Sequence, residues 1–300
     1  MPNLHDIEKR IKSVSSTKQI TRTMEMVSGA KVKQATERVM AATPYSLSMT
    51  ETLQGVAARV QASENPLLEK REDIKRMLVV VVVSDRGLAG GFNSNVLRSV
   101  EKTIRAKKAQ GIEVDVIACG KKAYGFFKYR QIVPVLDFNN LSADPTLEEA
   151  NQIADYAVKA YIEGSIDEVV LVYNHCKNAA EQVLTEEILL PVDTQAVMTT
   201  SADEAEGEGS VEVQASLEFE PEPADVLTTL LPAYIRTSIY HALIDSAAGE
   251  QAARRTAMHS ATENANEMVE TLSRLYNRVR QGAITTEISE IVGGAAALEE

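Results

Sequence analysis

The last stretch of this chain, beyond Pro232, contains no proline and carries an apolar seam with heptad spacing. Ala261, Ala265, Met268, Leu272, Leu275 and Val279 step 4-3-4-3-4 along it. That alternation keeps one stripe of a helix turned toward a partner helix, so the spacing predicts a coiled coil. The stretch closes in Ile284-Thr-Thr-Glu-Ile-Ser-Glu-Ile-Val-Gly-Gly-Ala-Ala-Ala-Leu298. A helix end this rich in apolar and small residues implies a host that houses it, so a partner is sought before an active site.

The other end of the chain answers the first. Leu4, Ile7, Ile11 and Val14 step 3-4-3, and Ile20, Met24 and Val27 resume the seam after a shift of phase. Residues 1–60 therefore read as a second coiled-coil helix, which Pro44 is expected to break or kink. Lys9, Arg10, Lys12, Lys18, Arg22, Lys31, Lys33 and Arg38 make this helix basic in a chain of net charge −12. That face is either a solvated surface or a match for an acidic partner. Two long helices at opposite ends, each with one apolar stripe, bury those stripes most simply on each other as an antiparallel pair. Neither is stable alone, since packing rather than intrinsic propensity supplies most helix stability.

Between them the period changes. Met77–Val83 is a continuous apolar, β-branched run, the mark of a strand covered on both faces. It is followed by the glycine-rich turn Ser84-Asp-Arg-Gly-Leu-Ala-Gly-Gly91. Asn93–Lys108, Lys121–Tyr129 and Pro145–Glu163 read as helices, the last entered through Asp144-Pro145. Val114–Cys119, Ile132–Leu136 and Glu168–Tyr173 read as strands. The alternation predicts an α/β layer with a mainly parallel, Rossmann-like sheet over residues 75–217, inserted between the helices 1–60 and 224–298. A third piece, Thr199–Asp225, is acidic: Ser201–Ser210 reads as a mobile loop, and Val211–Phe219 alternates as an edge strand could.

Several functions are excluded. A chain of net charge −12 and pI near 5.0 is not a general nucleic-acid binder. The longest apolar run, Met77–Val83, is far short of the roughly 20 residues that span a bilayer, so membrane contact is expected only through other proteins. The start of the chain shows no apolar stretch of a secretory signal. Cys119 and Cys176 form no CxxC pair and read as small core thiols in a reducing compartment. The four histidines, His5, His175, His241 and His259, lack metal-site spacing, and no cofactor or metal is expected. The glycine turn fails the phosphate-loop and dinucleotide patterns, which need GxxxxGK and GxGxxG, so its glycines are read as turn-formers. Asp85 and Arg86 read as a salt-bridged turn. No catalytic constellation emerges. What remains is interaction chemistry: Gln251 and Arg254 one turn apart, then Arg274, Arg278, Arg280 and Gln281 before the apolar tip, and Thr285, Glu287 and Glu290 within it.

Three runs of residues resemble the gamma subunit of F-type ATP synthases. Ile11–Ser28 is similar to that family's first helix and Ser84–Asn93 to its first βα turn. Glu250-Gln-Ala-Ala-Arg254 with Ile284–Ala297 is similar to its C-terminal signature. The likeness covers almost the whole chain and thins across about 192–217. Ala89 stands where many relatives have Cys, and the paired regulatory cysteines of chloroplast members are missing.

The resemblance implies a rotor shaft. Its coiled coil would stand in the cavity of an alpha-beta hexamer. Its α/β foot would sit on the ring of c subunits beside the epsilon subunit, at the cytoplasmic face of the cell membrane. ATP chemistry would belong to beta, so this chain would be a non-catalytic subunit without a cofactor. Arg280 and Gln281 match positions that hold a beta-subunit loop. Arg254, Thr285, Glu287 and Glu290 match coupling positions, and Met24 matches a site beside the acidic beta-subunit lever. Two other readings stay open on composition alone: a non-rotating coiled-coil adaptor, and a nucleotide-dependent enzyme built on the turn at Gly87.

Overall fold

The computed structural model describes residues 3–57, 65–141, 144–178, 181–193 and 223–296. Among these residues, two long helices, α1 (Leu4–Ala57) and α5 (Pro223–Ala296), come before and after a five-stranded sheet in the sequence. The chain divides into two units. One holds residues 1–29 with 254–300, and the other holds residues 30–253.

In the first unit, α1 and α5 lie side by side and antiparallel. Lys18 Nζ reaches Asn266 Oδ1 at 2.6 Å, Thr262 Oγ1 donates to Thr21 Oγ1 at 2.8 Å, and His259 Nδ1 meets Glu25 Oε1 at 2.9 Å. Numbers that rise along one helix fall along the other. The seam of α1 is Leu4, Ile7, Ile11, Val14, Lys18, Thr21, Glu25 and Ser28, all buried or half-buried. Its 3-4 alternation never changes phase. The shift expected at Ile20 is therefore wrong: Ile20 is 61% and Val27 52% exposed, while Met24 is half-buried. The expected seam of α5 holds at Ala261, Ala265, Leu272, Leu275 and Val279, which are buried or half-buried. Met258, Thr262, Val269 and Tyr276 also face inward, whereas Met268 is exposed. The cause in α1 is polar residues, Lys18, Thr21 and Glu25, that find partners across the seam. A hydroxyl or carboxylate with a partner is buried at little cost, and the apolar side chains beside it are left to face outward.

In the second unit the strands are β1 (Arg76–Val82), β2 (Glu113–Cys119), β3 (Leu136–Phe138), β4 (Glu168–Cys176) and β5 (Gln182–Leu190). Their order is β3-β2-β1-β4-β5, parallel except for β5, which pairs antiparallel with β4. The helices are α2 (Phe92–Ala109), α3 (Lys121–Tyr129) and α4 (Leu147–Ile162). Alternate residues of β1 enter opposite cores. Leu78, Val80 and Val82 pack with α4 and the start of α5, through Ile153, Ala157, Leu227, Leu231 and Ile235. Met77, Val79 and Val81 pack with α2 and α3, through Val96, Val100 and Phe127. This two-sided burial is why the run read as uniformly apolar.

Three local expectations are corrected. α1 runs through Pro44 as one helix, with that residue on an exposed position where the lost N–H bond faces water. The third strand begins at Leu136 rather than Ile132, because Pro134 has no N–H to give and ladder bonding starts only as Val135 N donates to Val116 O at 2.9 Å. The cap of α4 is Thr146, not Asp144-Pro145: Thr146 and Glu149 bond reciprocally in a capping box, and Asp144 pairs with Arg38 at 2.6 Å. β5 went unforeseen because its centre, Thr185-Glu-Glu187, breaks any apolar alternation. The loop expected at 201–210 and the strand at 211–219 lie outside the described residues.

One glycine is sterically required. Gly120, after β2, has φ +103°, and a Cβ there would stand 2.2 Å from the carbonyl oxygen of Val83.

Candidate functional site: the exposed end of the helical pair and the crevice of the sheet

The register of the pair fixes where α1 runs out. Residue 18 lies beside 266, 21 beside 262 and 25 beside 259, so Leu4 lies level with about Arg280. Beyond that point α5 continues without a described residue of α1 alongside, and Gln281–Val292 is exposed throughout. Ile284, Ile288 and Ile291 step 4-3 and form one stripe, Ile291 being 66% exposed. A bare apolar stripe of this kind marks an interaction surface. Thr285 and Thr286 keep their hydroxyls on their own helix, donating to the carbonyls of Gln281 and Gly282 at 2.9 and 3.0 Å. The flank they present is therefore less polar than its composition suggests.

The residues singled out from sequence fall in two groups. Arg280, Gln281, Thr285, Glu287 and Glu290 lie together on the bare end of α5, all exposed. Arg280 and Glu287 are seven residues apart and share a face, and Gln281 and Thr285 share the next strip. Met24, half-buried on α1, and Arg254, buried, lie apart from that cluster. The residues that sequence reasoning missed are the polar seam positions Lys18, Thr21 and Glu25. Counting 3-4 from Leu4 without interruption would have found them.

The second place to look for chemistry is the sheet. Ligands in open α/β sheets bind beyond the strands' carboxyl ends, where strand order reverses. Here that point lies between β1 and β4. The turn after β1 is closed on itself. Asn93 Oδ1 accepts from Ser84 N at 2.9 Å, and Asn93 Nδ2 donates to Ser84 Oγ at 2.7 Å. Asp85 Oδ1 accepts from the backbone N–H of Lys121 and of Asn140, each at 2.9 Å, so it ties the turn to α3 and the β3 loop.

The crevice itself is filled by α5. A Cβ on Gly249 would lie 3.3 Å from Phe92 Cε2 and 3.5 Å from the carbonyl oxygen of Asn174. At this point the helix packs closely against the start of α2 and the end of β4. Burial pushes the thiol of Cys119 up, and burial with the nearby Asp245 carboxylate pushes that of Cys176 up, so neither is a ready nucleophile. Among the described residues no group of metal-binding side chains gathers, and no helix is long and apolar enough to cross a membrane.

Comparison with known proteins supplies the context. A family model described as ATP synthase matches residues 3–298. The ATP synthase gamma chain of Trichlorobacter lovleyi is 40% identical over 299 residues, with 100% of each chain covered. That of Chlorobium chlorochromatii is 41% identical over 302 residues, with 99% of each covered. Among solved structures, a chain of the central stalk and c-ring of Tetrahymena thermophila mitochondrial ATP synthase aligns with a TM-score of 0.56 at 26% identity. That alignment covers 81% of this chain and 99% of the other. A chain of Euglena gracilis mitochondrial ATP synthase aligns with a TM-score of 0.67 at 21% identity, covering 98% and 94%, and shares the fold.

Proposed function

This chain belongs to the ATP synthase gamma-chain family, and from that premise we propose that it is the central rotor shaft coupling transmembrane ion flow to ATP turnover on beta subunits. It is a non-catalytic subunit. The observation that carries the reading is the bare end of α5, a single helix with an exposed Ile284, Ile288 and Ile291 stripe beyond its partner. An apolar stripe housed in the cavity of an alpha-beta hexamer makes few directional bonds, so it can turn there. The polar residues just before and within it supply the contacts that differ between positions.

The division of labour follows. Segments 1–60 and 224–298 form the shaft, and 75–217 forms the foot on the c-ring and beside the epsilon subunit. Arg280 and Gln281 hydrogen-bond a beta-subunit loop in one rotary position and release it in the next. A guanidinium offers several donors in a fixed fork, which suits a bond that must be specific and yet broken each cycle. Arg254, Thr285, Glu287 and Glu290 tune the coupling, and Met24 abuts the beta-subunit lever. The shaft is asymmetric, so it favours a different beta state at each angle, and coupling is this differential contact. The complex is bound peripherally at the cytoplasmic face of the cell membrane, which this chain reaches only through other subunits. It binds no nucleic acid.

The test has two parts. Purified under mild conditions from membranes, the tagged chain is expected to bring alpha, beta and epsilon subunits with it; recovery as a lone chain contradicts the reading. Replacing Arg280→Ala together with Gln281→Ala is expected to lower ATP-driven ion pumping while the foot stays folded. Unchanged pumping would remove these two residues from the coupling role.

A further inference from the structure

Residues Ala242–Glu250 are buried without a break, so α5 is enclosed on every side over two and a half turns. A helix buried all round is otherwise apolar all round. This one carries Asp245 at 2% exposure, and that carboxylate is gripped. Asp245 Oδ2 meets His175 Nδ1 at 2.7 Å, and Asp245 Oδ1 accepts from the backbone N–H of Cys176 at 3.2 Å. Both partners sit at the end of β4. One turn further on, Gly249 rests against Phe92 and the carbonyl of Asn174, and Asn174 Nδ2 donates to the Phe92 carbonyl at 2.9 Å, bracing β4 against the start of α2. A directional bond and a close steric stop thus act on neighbouring turns of one helix. Turning α5 about its own axis would stretch the first and drive the helix into the second. The directional bond adds to the resistance that close packing around the helix already gives.

We propose that Asp245, His175 and Gly249 form the joint through which torque passes between α5 and the sheet. Asp245 and His175 are positioning residues, remote from any nucleotide chemistry. The inference rests on the rotor reading above, and it adds the place where shaft and foot are locked.

The test uses the whole assembled complex, with ATP hydrolysis and ATP-driven ion pumping measured side by side. If the complex containing the unaltered chain does not pump, the rotor reading itself fails. If it pumps, Asp245→Ala is expected to assemble and hydrolyse ATP while pumping is lost, and Asp245→Asn, which keeps an acceptor for the Cys176 N–H, is expected to recover part of it. Pumping per ATP equal to the unaltered complex in Asp245→Ala overturns the joint. A second variant covers misfolding: His175→Cys with Asp245→Cys, in a Cys176→Ser background. Reduced, it is expected to be uncoupled; oxidised to a disulfide, it is expected to pump again. Full pumping in the reduced form, or failure of both forms to assemble, also overturns the proposal, since the pair would then be dispensable or a folding requirement only.

Discussion

The polar layer at Thr21 and Thr262 offers the sharpest test of the helical pair. Thr262 Oγ1 donates to Thr21 Oγ1 at 2.8 Å, and Thr21 in turn donates to the Lys18 carbonyl at 3.0 Å. Replacing Thr262→Val leaves the buried Thr21 oxygen without its donor, at a cost of about 1 kcal/mol. Replacing Thr21→Val strands less, because the Thr262 hydroxyl can turn to the Met258 carbonyl at 2.8 Å, so the cost falls to about 0.5 kcal/mol. With both replaced, no oxygen is stranded and two methyl groups enter a seam position. At up to about 0.8 kcal/mol for each fully buried carbon, the double variant should be about 1 kcal/mol more stable than the original chain. The two sites then couple by about 2.5 kcal/mol, with the double variant above both singles. Urea unfolding of the full chain, followed by far-UV circular dichroism, measures all four forms. A double variant destabilised by the sum of the singles would refute the pairing across the seam.

Other outcomes follow from the same geometry. Ile20→Gln with Val27→Gln should change the stability of the free chain by less than about 0.5 kcal/mol, because both side chains face outward, yet weaken its assembly with partner subunits; thermal melts and co-purification read the two effects. Arg71→Met should cost about 2–3 kcal/mol in the foot, since its guanidinium bonds Asp167 at 2.7 Å, the Ile166 carbonyl at 2.9 Å and the Tyr161 carbonyl at 2.6 Å. The pH dependence carries the same residue. Burial alone would raise the Asp167 carboxyl, but Arg71 and the backbone N–H groups of Lys75 and Arg76 hold it below its ordinary value. Its contribution is therefore complete above the ordinary carboxylate range and is lost as pH falls through the depressed value, so Arg71→Met should flatten the acid limb of a stability profile. Gly120→Ala should destabilise the foot by roughly 3 kcal/mol or more, seen as loss of cooperative unfolding, because its Cβ would meet the Val83 carbonyl and its φ is left-handed.

Much of this fold could be read from the chain. Met77–Val83 announced a strand covered on both faces, and the alternation of periods after it placed the parallel sheet. The heptad count found both long helices and their antiparallel arrangement. It failed where the physics is pairwise. Ile20 and Val27 satisfy a hydrophobic template but lie outside, and Thr21, Glu25 and Thr262 violate it but lie inside. No property of Thr21 alone reveals that Thr262 will stand opposite it. β5 was hidden for a related reason, since an edge strand on a sheet whose apolar core is already covered need not alternate. The cluster Arg280–Glu290 could be placed on one helix end from spacing. The clamp at Asp245 could not, because it joins residues seventy positions apart and leaves no local pattern.

Rotation is the most direct test. Val133 is 86% exposed on the foot, so Val133→Cys in a Cys176→Ser chain gives a labelling point, with Cys119 buried out of reach. With alpha and beta subunits fixed to a surface and ATP added, a probe on residue 133 is expected to turn continuously in one direction. A probe that stays still while the same complexes hydrolyse ATP would contradict the rotor.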